Sequence, residues 1–437
     1  MSPRLRVLRD PRAVGAALCV AGLALLAAPP LVAAALGLEL IAAAFFCWAR
    51  ATEHPAEQIE RWSWLRRPAA ALWLAAALES VSPEPWHPPG AGLWTPPELL
   101  AWLRSLAVVW AGLELLAALP LARPYSDRLG PLIAPLWLPA LLPAAGFAVL
   151  WRQSSHWAGV GDVRQAAIVL LLVTAWLASL RALSRRQWTA GLRWLLVSDS
   201  ALAGVLVALR LVPREAAFLL WLGACGGRAY LLAGELHGAS PRRGPLSSGL
   251  WRFASLWASA GLAWPALAAL AGRPRPAGLA LYAVLAVPAA LGAAVTVRRL
   301  VEAPERRRVV RPQGPLSLSH VAAALTLAVP PLGLAIAWWS GFEASWWPAF
   351  LGFLPPLAGA VAALAGRPLA LNAVARGIAR STFHGVVNRE RGLVDLVGRL
   401  GRTLSAPLRD LHTGDAQEYL LFLVGVAVLA LLLPLLQ

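Results

Sequence analysis

Apolar stretches long enough to cross a lipid bilayer recur along the whole chain, and nothing else in the sequence constrains the fold so tightly. A helix needs about 20 predominantly apolar residues to span a hydrocarbon core roughly 30 Å thick, somewhat fewer where the bilayer thins. Thirteen segments of the 437-residue chain approach that length: 13–28, 31–49, 68–80, 98–121, 130–151, 164–182, 194–211, 216–234, 250–271, 278–297, 317–340, 347–366 and 418–436. In hydrocarbon each backbone N–H and C=O has to be satisfied within its own segment, so runs of this kind fold as helices. The sequence therefore predicts an all-α, polytopic transmembrane bundle of about 13 spans. Composition agrees: 59% of residues are hydrophobic, only 14% are charged, and mean hydropathy is +0.62, outside the soluble globular profile.

The basic residues test this layout. The chain has no lysine, so all 39 are arginine, in keeping with a sequence rich in Ala, Pro, Gly and Trp. With the N-terminus in the cytoplasm and the spans alternating, cytoplasmic segments hold 30 arginines and the opposite side holds five: Arg152, Arg164, Arg214, Arg273 and Arg275. Cytoplasmic loops carry such an excess as a rule. Without the short span 68–80, the six arginines of 298–316 would fall on the wrong side. The net charge of +17 is thus loop charge at a membrane surface, and no nucleic-acid partner is implied. Trp62, Trp64, Trp86, Trp94, Trp338, Trp339, Trp346 and Trp347 gather near span ends, where interfacial aromatics belong.

Chemistry-bearing motifs are otherwise sparse. Cys19, Cys47 and Cys225 lie in apolar runs and frame neither disulfides nor a metal site. The seven histidines are scattered without ligand spacing, and no P-loop, HExxH or GxSxG pattern occurs. No cofactor is expected. The basic, then apolar start resembles a signal peptide, but a second apolar run follows at once without a separate cleavage site, so a retained first span is expected. Segment 367–417 repeats Leu393, Val394, Leu396, Val397, Leu400, Leu404, Leu408 and Leu411 at helical spacing with arginines between them, the pattern of an amphipathic helix on a surface.

Ionisable groups inside spans are costly and therefore informative. Glu39 in "LGLELIAAAFF" and Glu114 in "WAGLELLAALP" fall near mid-span, Asp199 lies in "LLVSDSALAG", Arg193 near a span end, and Arg228 in "LWLGACGGRAYLLAGEL". A carboxyl there can carry protons or serve as a neutral packing group. Arg228 cannot release its proton; it can only hold a carboxylate or fix a field. Gly226 and Gly227 before it would weaken the helix and admit carbonyls or water. A structural ion pair with Asp199 or a glutamate is the plainer alternative.

Several segments together resemble the antiporter-like membrane subunits of respiratory complex I, above all the L subunit, with relatives in Mrp antiporters, membrane-bound hydrogenases and inorganic-carbon uptake complexes. "LELIAAAFFCWA" (38–49) is similar to the family's "WEL" helix, and Glu39 falls on its functional glutamate. "APLWLPALLPAAGFAVLWR" (134–152), "LASLRALSRRQWTAGLRWLLVSDSALAG" (177–204), "AAFLLWLGACGGRAYLLAG" (216–234) and "GLAWPALAALAGR" (261–273) resemble further family segments, in the family's order. The tail 392–432 is the most specific match, resembling the "LQTGxxxxYxLxxxxG" ending.

The resemblance implies two inverted five-helix repeats at 1–151 and 152–297, two further spans within 298–366, a shortened lateral helix at 367–417 and a final span in 418–437. It implies a multisubunit complex of membrane proteins in the inner membrane, and a proton or ion path through Glu39, Glu114, Arg193, Asp199 and Arg228. The subunit itself would be at most a non-catalytic part of an NADH-quinone oxidoreductase or hydrogenase-type enzyme. The departures lie on that path. The family's "HAxxKAL" lysine falls on Arg228 and its histidine on Ala224, its "DLKRLLAY" lysine on Arg193, and its "SALLHA" histidine on Pro143. A buried lysine can lose its proton and an arginine in effect cannot. A non-conducting structural subunit, the membrane subunit of an inorganic-carbon uptake system and a stand-alone transporter are the alternatives.

Overall fold

The computed structural model describes residues 11–50, 65–80, 96–116, 138–184, 188–210, 212–236, 262–264, 266–272, 276–302 and 346–365, with residues 328, 332 and 335. All lie in the first of two compact units, residues 1–379; the second, 380–437, falls outside the described residues. So do the amphipathic segment 367–417 and the span 418–436, while spans 250–271 and 317–340 are described only in part.

The described chain is all-helical, 94% helix with no strand. The helices are α1 (Pro11–Leu26), α2 (Leu31–Arg50), α3 (Arg66–Ser80), α4 (Pro96–Leu115), α5 (Leu138–Arg152), the single turn α6 (Ser154–Trp157), α7 (Gly161–Ser184), α8 (Trp188–Leu209), α9 (Arg214–Leu236), α10 (Pro276–Glu302) and α11 (Trp346–Ala365). Four of them, α7, α8, α10 and α11, contain stretches long and apolar enough to cross a membrane. Shorter apolar helices run over Ala13–Leu26, Leu31–Cys47 and Leu262–Ala271. The weak segment 68–80 is helical as α3, but its 15 residues cover only about 22 Å. α9 runs unbroken through Gly226 and Gly227, so the expected weakening does not interrupt the helix.

α8 is the centre. Of its apolar window 89% is buried, against 44% for α7 and α10 and 28% for α11. It packs on α5, α7, α9 and α10. α1 and α2 form an antiparallel hairpin around Pro29 and Pro30, and α3 and α4 extend the bundle from α2 towards α5. Tryptophan and tyrosine donors fasten one helix to the next: Trp176 Nε1 donates to Val284 O at 2.8 Å, Trp264 Nε1 to Ala349 O at 2.8 Å and Tyr282 Oη to Leu351 O at 2.7 Å. The outward faces are apolar as well, with Val169 58%, Val361 53% and Leu364 66% exposed. In water such faces would be a liability; in hydrocarbon they are the expected surface.

Two glycine contacts set how closely the helices approach. A Cβ on Gly37 would lie 2.6 Å from Gly22 O and 2.9 Å from Leu26 N, and one on Gly146 would lie 2.6 Å from Leu116 N and 2.7 Å from Gly112 O. These neighbours are backbone, so the helices themselves would have to separate. Gly37→Ala and Gly146→Ala should each destabilise the chain by about 1–3 kcal/mol. Gly272→Ala, whose Cβ would find its nearest neighbour at 3.5 Å, should not. Thermal unfolding of the purified chain in detergent compares the three.

Candidate functional site

The tripeptide Ser198–Asp199–Ser200 occupies the middle of α8, which is buried on all sides. Successive helical residues point about 100° apart, so three polar side chains in a row need partners on different neighbours. Ser198 finds α7: its Oγ lies 2.8 Å from Ser179 Oγ and donates to Ala175 O at 3.2 Å. Ser200 finds α9: it accepts from Trp221 Nε1 at 3.0 Å and lies 3.7 Å from Cys225 Sγ. Asp199 meets Arg228 of α9. Arg228 Nη2 donates to Asp199 Oδ1 at 3.4 Å, and Nε is in ion contact with Oδ2. Arg228 Nη1 reaches Thr296 Oγ1 of α10 at 3.4 Å, while that hydroxyl donates to Gly292 O at 2.8 Å. Asp199 is 3% exposed and Arg228 1%. One carboxylate, one guanidinium and one hydroxyl thus join three helices inside the bundle.

The other predicted positions lie elsewhere. Arg193 is half-buried on α8, six residues or about 9 Å before Asp199. Glu114 is buried in the last turn of α4, which ends at Leu115. There it is 3.7 Å from Arg67 Nη1 at the start of α3 and accepts from Trp110 Nε1 at 3.1 Å. Glu39 faces outward from α2 between buried Leu38 and Ile41. The structure therefore brings Asp199 and Arg228 together and leaves Glu39, Glu114 and Arg193 apart from them. Among the described residues no cluster of His, Cys, Asp and Glu could hold a metal ion.

Sequence reading missed Thr296, Ser179 and the serines flanking Asp199. Three consecutive polar residues in an apolar run were the available signal; Thr296 in "AAVTVRR" carried none. It also missed a cleft of about 530 Å³ at one end of the bundle, lined by Pro29, Pro30, Glu79, Arg152, Ser155, His156 and Arg214. Glu79 is at the far end of α3 from Arg67, so this cleft and the Glu114 contact sit at opposite ends of that helix. His156 Nε2 is 3.7 Å from Glu79 Oε1. Burial pushes the His156 imidazole below its ordinary range, Glu79 draws it up, and Arg104 pushes it down.

An aromatic column joins the two places. Trp221, bound to Ser200, stacks on Phe147 at 4.7 Å and lies 5.8 Å from Phe218; Phe218 stacks on Trp151 at 4.5 Å. Trp151 in turn is tied to a residue of the cleft lining, its Nε1 donating to Arg214 O at 2.8 Å.

Compared with known proteins, the chain matches no family model, and no curated protein matches it.

Removing one member of a buried pair strands the other charge at a cost of about 3–5 kcal/mol, whereas replacing both with apolar groups of similar size is close to neutral. Asp199→Leu and Arg228→Met should each lower the melting temperature in detergent sharply, and the double variant should recover most of the loss. A second expectation concerns pH. A histidine whose folded value is depressed binds fewer protons folded than unfolded, so the stability it contributes is present above its ordinary value and is lost as pH falls through that region. Unfolding followed from pH 7.5 down to pH 5 should show a decline that is shallower in His156→Gln.

Proposed function

We propose that the chain is an L-type antiporter-like membrane subunit of a complex I-like assembly in the cell inner membrane, taking part in proton or cation translocation. The reading includes about thirteen spans, a cytoplasmic N-terminus, two inverted repeats at 1–151 and 152–297, and neighbouring membrane subunits as partners. What supports it most is the Asp199–Arg228–Thr296 contact among α8, α9 and α10, two of them of membrane-crossing length. Arg228 stands where the resembled family carries its mid-membrane lysine.

The roles follow from the chemistry. Arg228 keeps its charge at any working pH. It therefore acts as a fixed field and not as a proton carrier, and the group in its pair that can change charge is Asp199. A proton or cation arriving beside Asp199 would loosen the pair and free the guanidinium towards Thr296. Glu39 is the protonatable site in this reading, on a face of α2 that a neighbouring subunit would cover.

A second reading has its own support. The pair is closed and neutral overall and sits among buried apolar side chains, as a strut would. On that reading the chain is a structural subunit that conducts nothing. The same membrane architecture also suits the membrane subunit of an inorganic-carbon uptake system.

The deciding experiment is a pull-down of the tagged chain from its native membranes, followed by ion flux in reconstituted vesicles. Quinone-reductase or hydrogenase subunits travelling with it, and flux abolished in Glu39→Gln with assembly intact, are the expected result. Assembly without flux would leave the structural subunit. A lone soluble zinc protein as partner would point to carbon uptake.

A further inference from the structure

Two arginines that the ion path does not use converge on one tryptophan. The guanidinium carbon of Arg152 lies 5.9 Å from the Trp151 ring and that of Arg214 lies 5.8 Å from it, and both residues line the 530 Å³ cleft. They come from different elements, the last residue of α5 and the first of α9. The indole N–H bond to Arg214 O ties those two helix ends together. Both arginines thus rest against one aromatic platform, and of the two only Arg214 has a carboxylate beside it, the exposed Glu215.

Their donors are largely unspent. Among the described residues Arg152 has no side-chain hydrogen-bond partner, and its Nε is buried without one. Arg214 directs Nε to the exposed Glu215 at 3.3 Å, which leaves its terminal amino groups. The carboxylate in the cleft, Glu79, faces His156 at 3.7 Å. Ser155 adds a hydroxyl to the lining. A planar guanidinium presents paired N–H donors that match two oxygens of a phosphate or carboxylate, and a second one nearby makes a clamp.

The position suggests which oxyanion. The cleft is built from helix ends and the turn at Pro29 and Pro30, on a bundle whose outward faces are apolar. In a membrane protein that level is the interface, where tryptophan rings sit and where lipid phosphates come within reach of basic side chains. We infer that the cleft formed by Arg152, Arg214 and Ser155 at the ends of α5 and α9 is a phosphate-binding site, filled by the headgroup of an anionic phospholipid. The site does not rest on the ion-translocation reading and would exist in a non-conducting subunit as well.

The test uses the full chain, purified in a non-ionic detergent. Phosphatidylglycerol, phosphatidylcholine and inorganic phosphate are added separately, and thermal stability and lipid retention by native mass spectrometry are read. Phosphatidylglycerol should be retained and should raise the melting temperature, and phosphatidylcholine should do neither. Arg152→Gln with Arg214→Gln should weaken phosphatidylglycerol binding by about a hundredfold or more, since each lost bond to a charged group is worth about tenfold or more. Arg164→Gln, outside the cleft, should leave it unchanged. Arg152→Gln alone removes no side-chain hydrogen bond of the fold and should give a partial loss, so a folding defect in the double variant would not hide the result. Protection by inorganic phosphate but not by phosphatidylglycerol, lost in the same variants, would support the phosphate site with a free anion as its source. No protection by either, or protection undiminished in Arg152→Gln and in the double variant, would overturn it.

Discussion

A guanidinium that cannot lose its charge, enclosed in an apolar helix bundle, sets the terms for everything packed around it. Arg228 is 1% exposed, and leaving it without a carboxylate would cost several kcal/mol. Asp199 meets that demand from α8, and Thr296 takes a further donor from α10. The contact fixes the rotation of α8 and α9 about their axes, because a turn of either by one residue would swing its charge about 100° away. Such a pair contributes little net stability, since replacing both members by apolar groups is close to neutral, but its geometry is met by one arrangement of these helices. Here the alternatives are many, since apolar helices without such markers can pack on almost any face.

That last point explains what the sequence could and could not reveal. The apolar runs marked α1, α2, α7, α9 and α11 to within a few residues, and α8 and α10 to within about a turn and a half, because length and hydropathy largely decide where such helices lie. They said little about faces. α8 is buried on all sides, so its hydrophobic pattern carries no direction, and nothing local tied Asp199 to Arg228, 29 residues away, rather than to another cation. For Glu114 the apolar run continues past Leu115, while the helix ends there and the carboxyl lies beside Arg67, a contact that no local pattern announces. Glu39 carries no pattern that separates an inward from an outward position, for the residues on both sides of it are apolar. The cleft was illegible for a different reason. Its residues come from the α1–α2 turn, α3, α5, α6 and α9, each contributing one or two, so no stretch of sequence contains a motif.

The two polar places are physically continuous. From Ser200 the contacts run through Trp221 to Phe147 and Phe218, and from Phe218 to Trp151, on which Arg152 and Arg214 both rest. A close-packed interior has low compressibility and transmits strain between groups in contact. A shift of α9 along its axis would therefore be felt at both ends of this column. It would alter the Arg228 contact in the interior and the spacing of the two guanidinium groups in the cleft, because Arg214 and Arg228 belong to the same helix.

What such a shift could accomplish depends on the asymmetry between arginine and lysine. A buried lysine stores two states in one side chain, charged and neutral, and can pass a proton between neighbours. An arginine stores one. If charge moves through this pair, the member that changes state has to be the carboxylate of Asp199, since the guanidinium keeps its proton. Asp199 is well placed for that part, since the hydroxyls of Ser198 and Ser200 are already bound to α7 and α9 and do not compete for the guanidinium. The same geometry makes a sound strut when nothing arrives. Whether such a pair works as a relay or as a strut therefore depends on what reaches Asp199, not on how Arg228 is held.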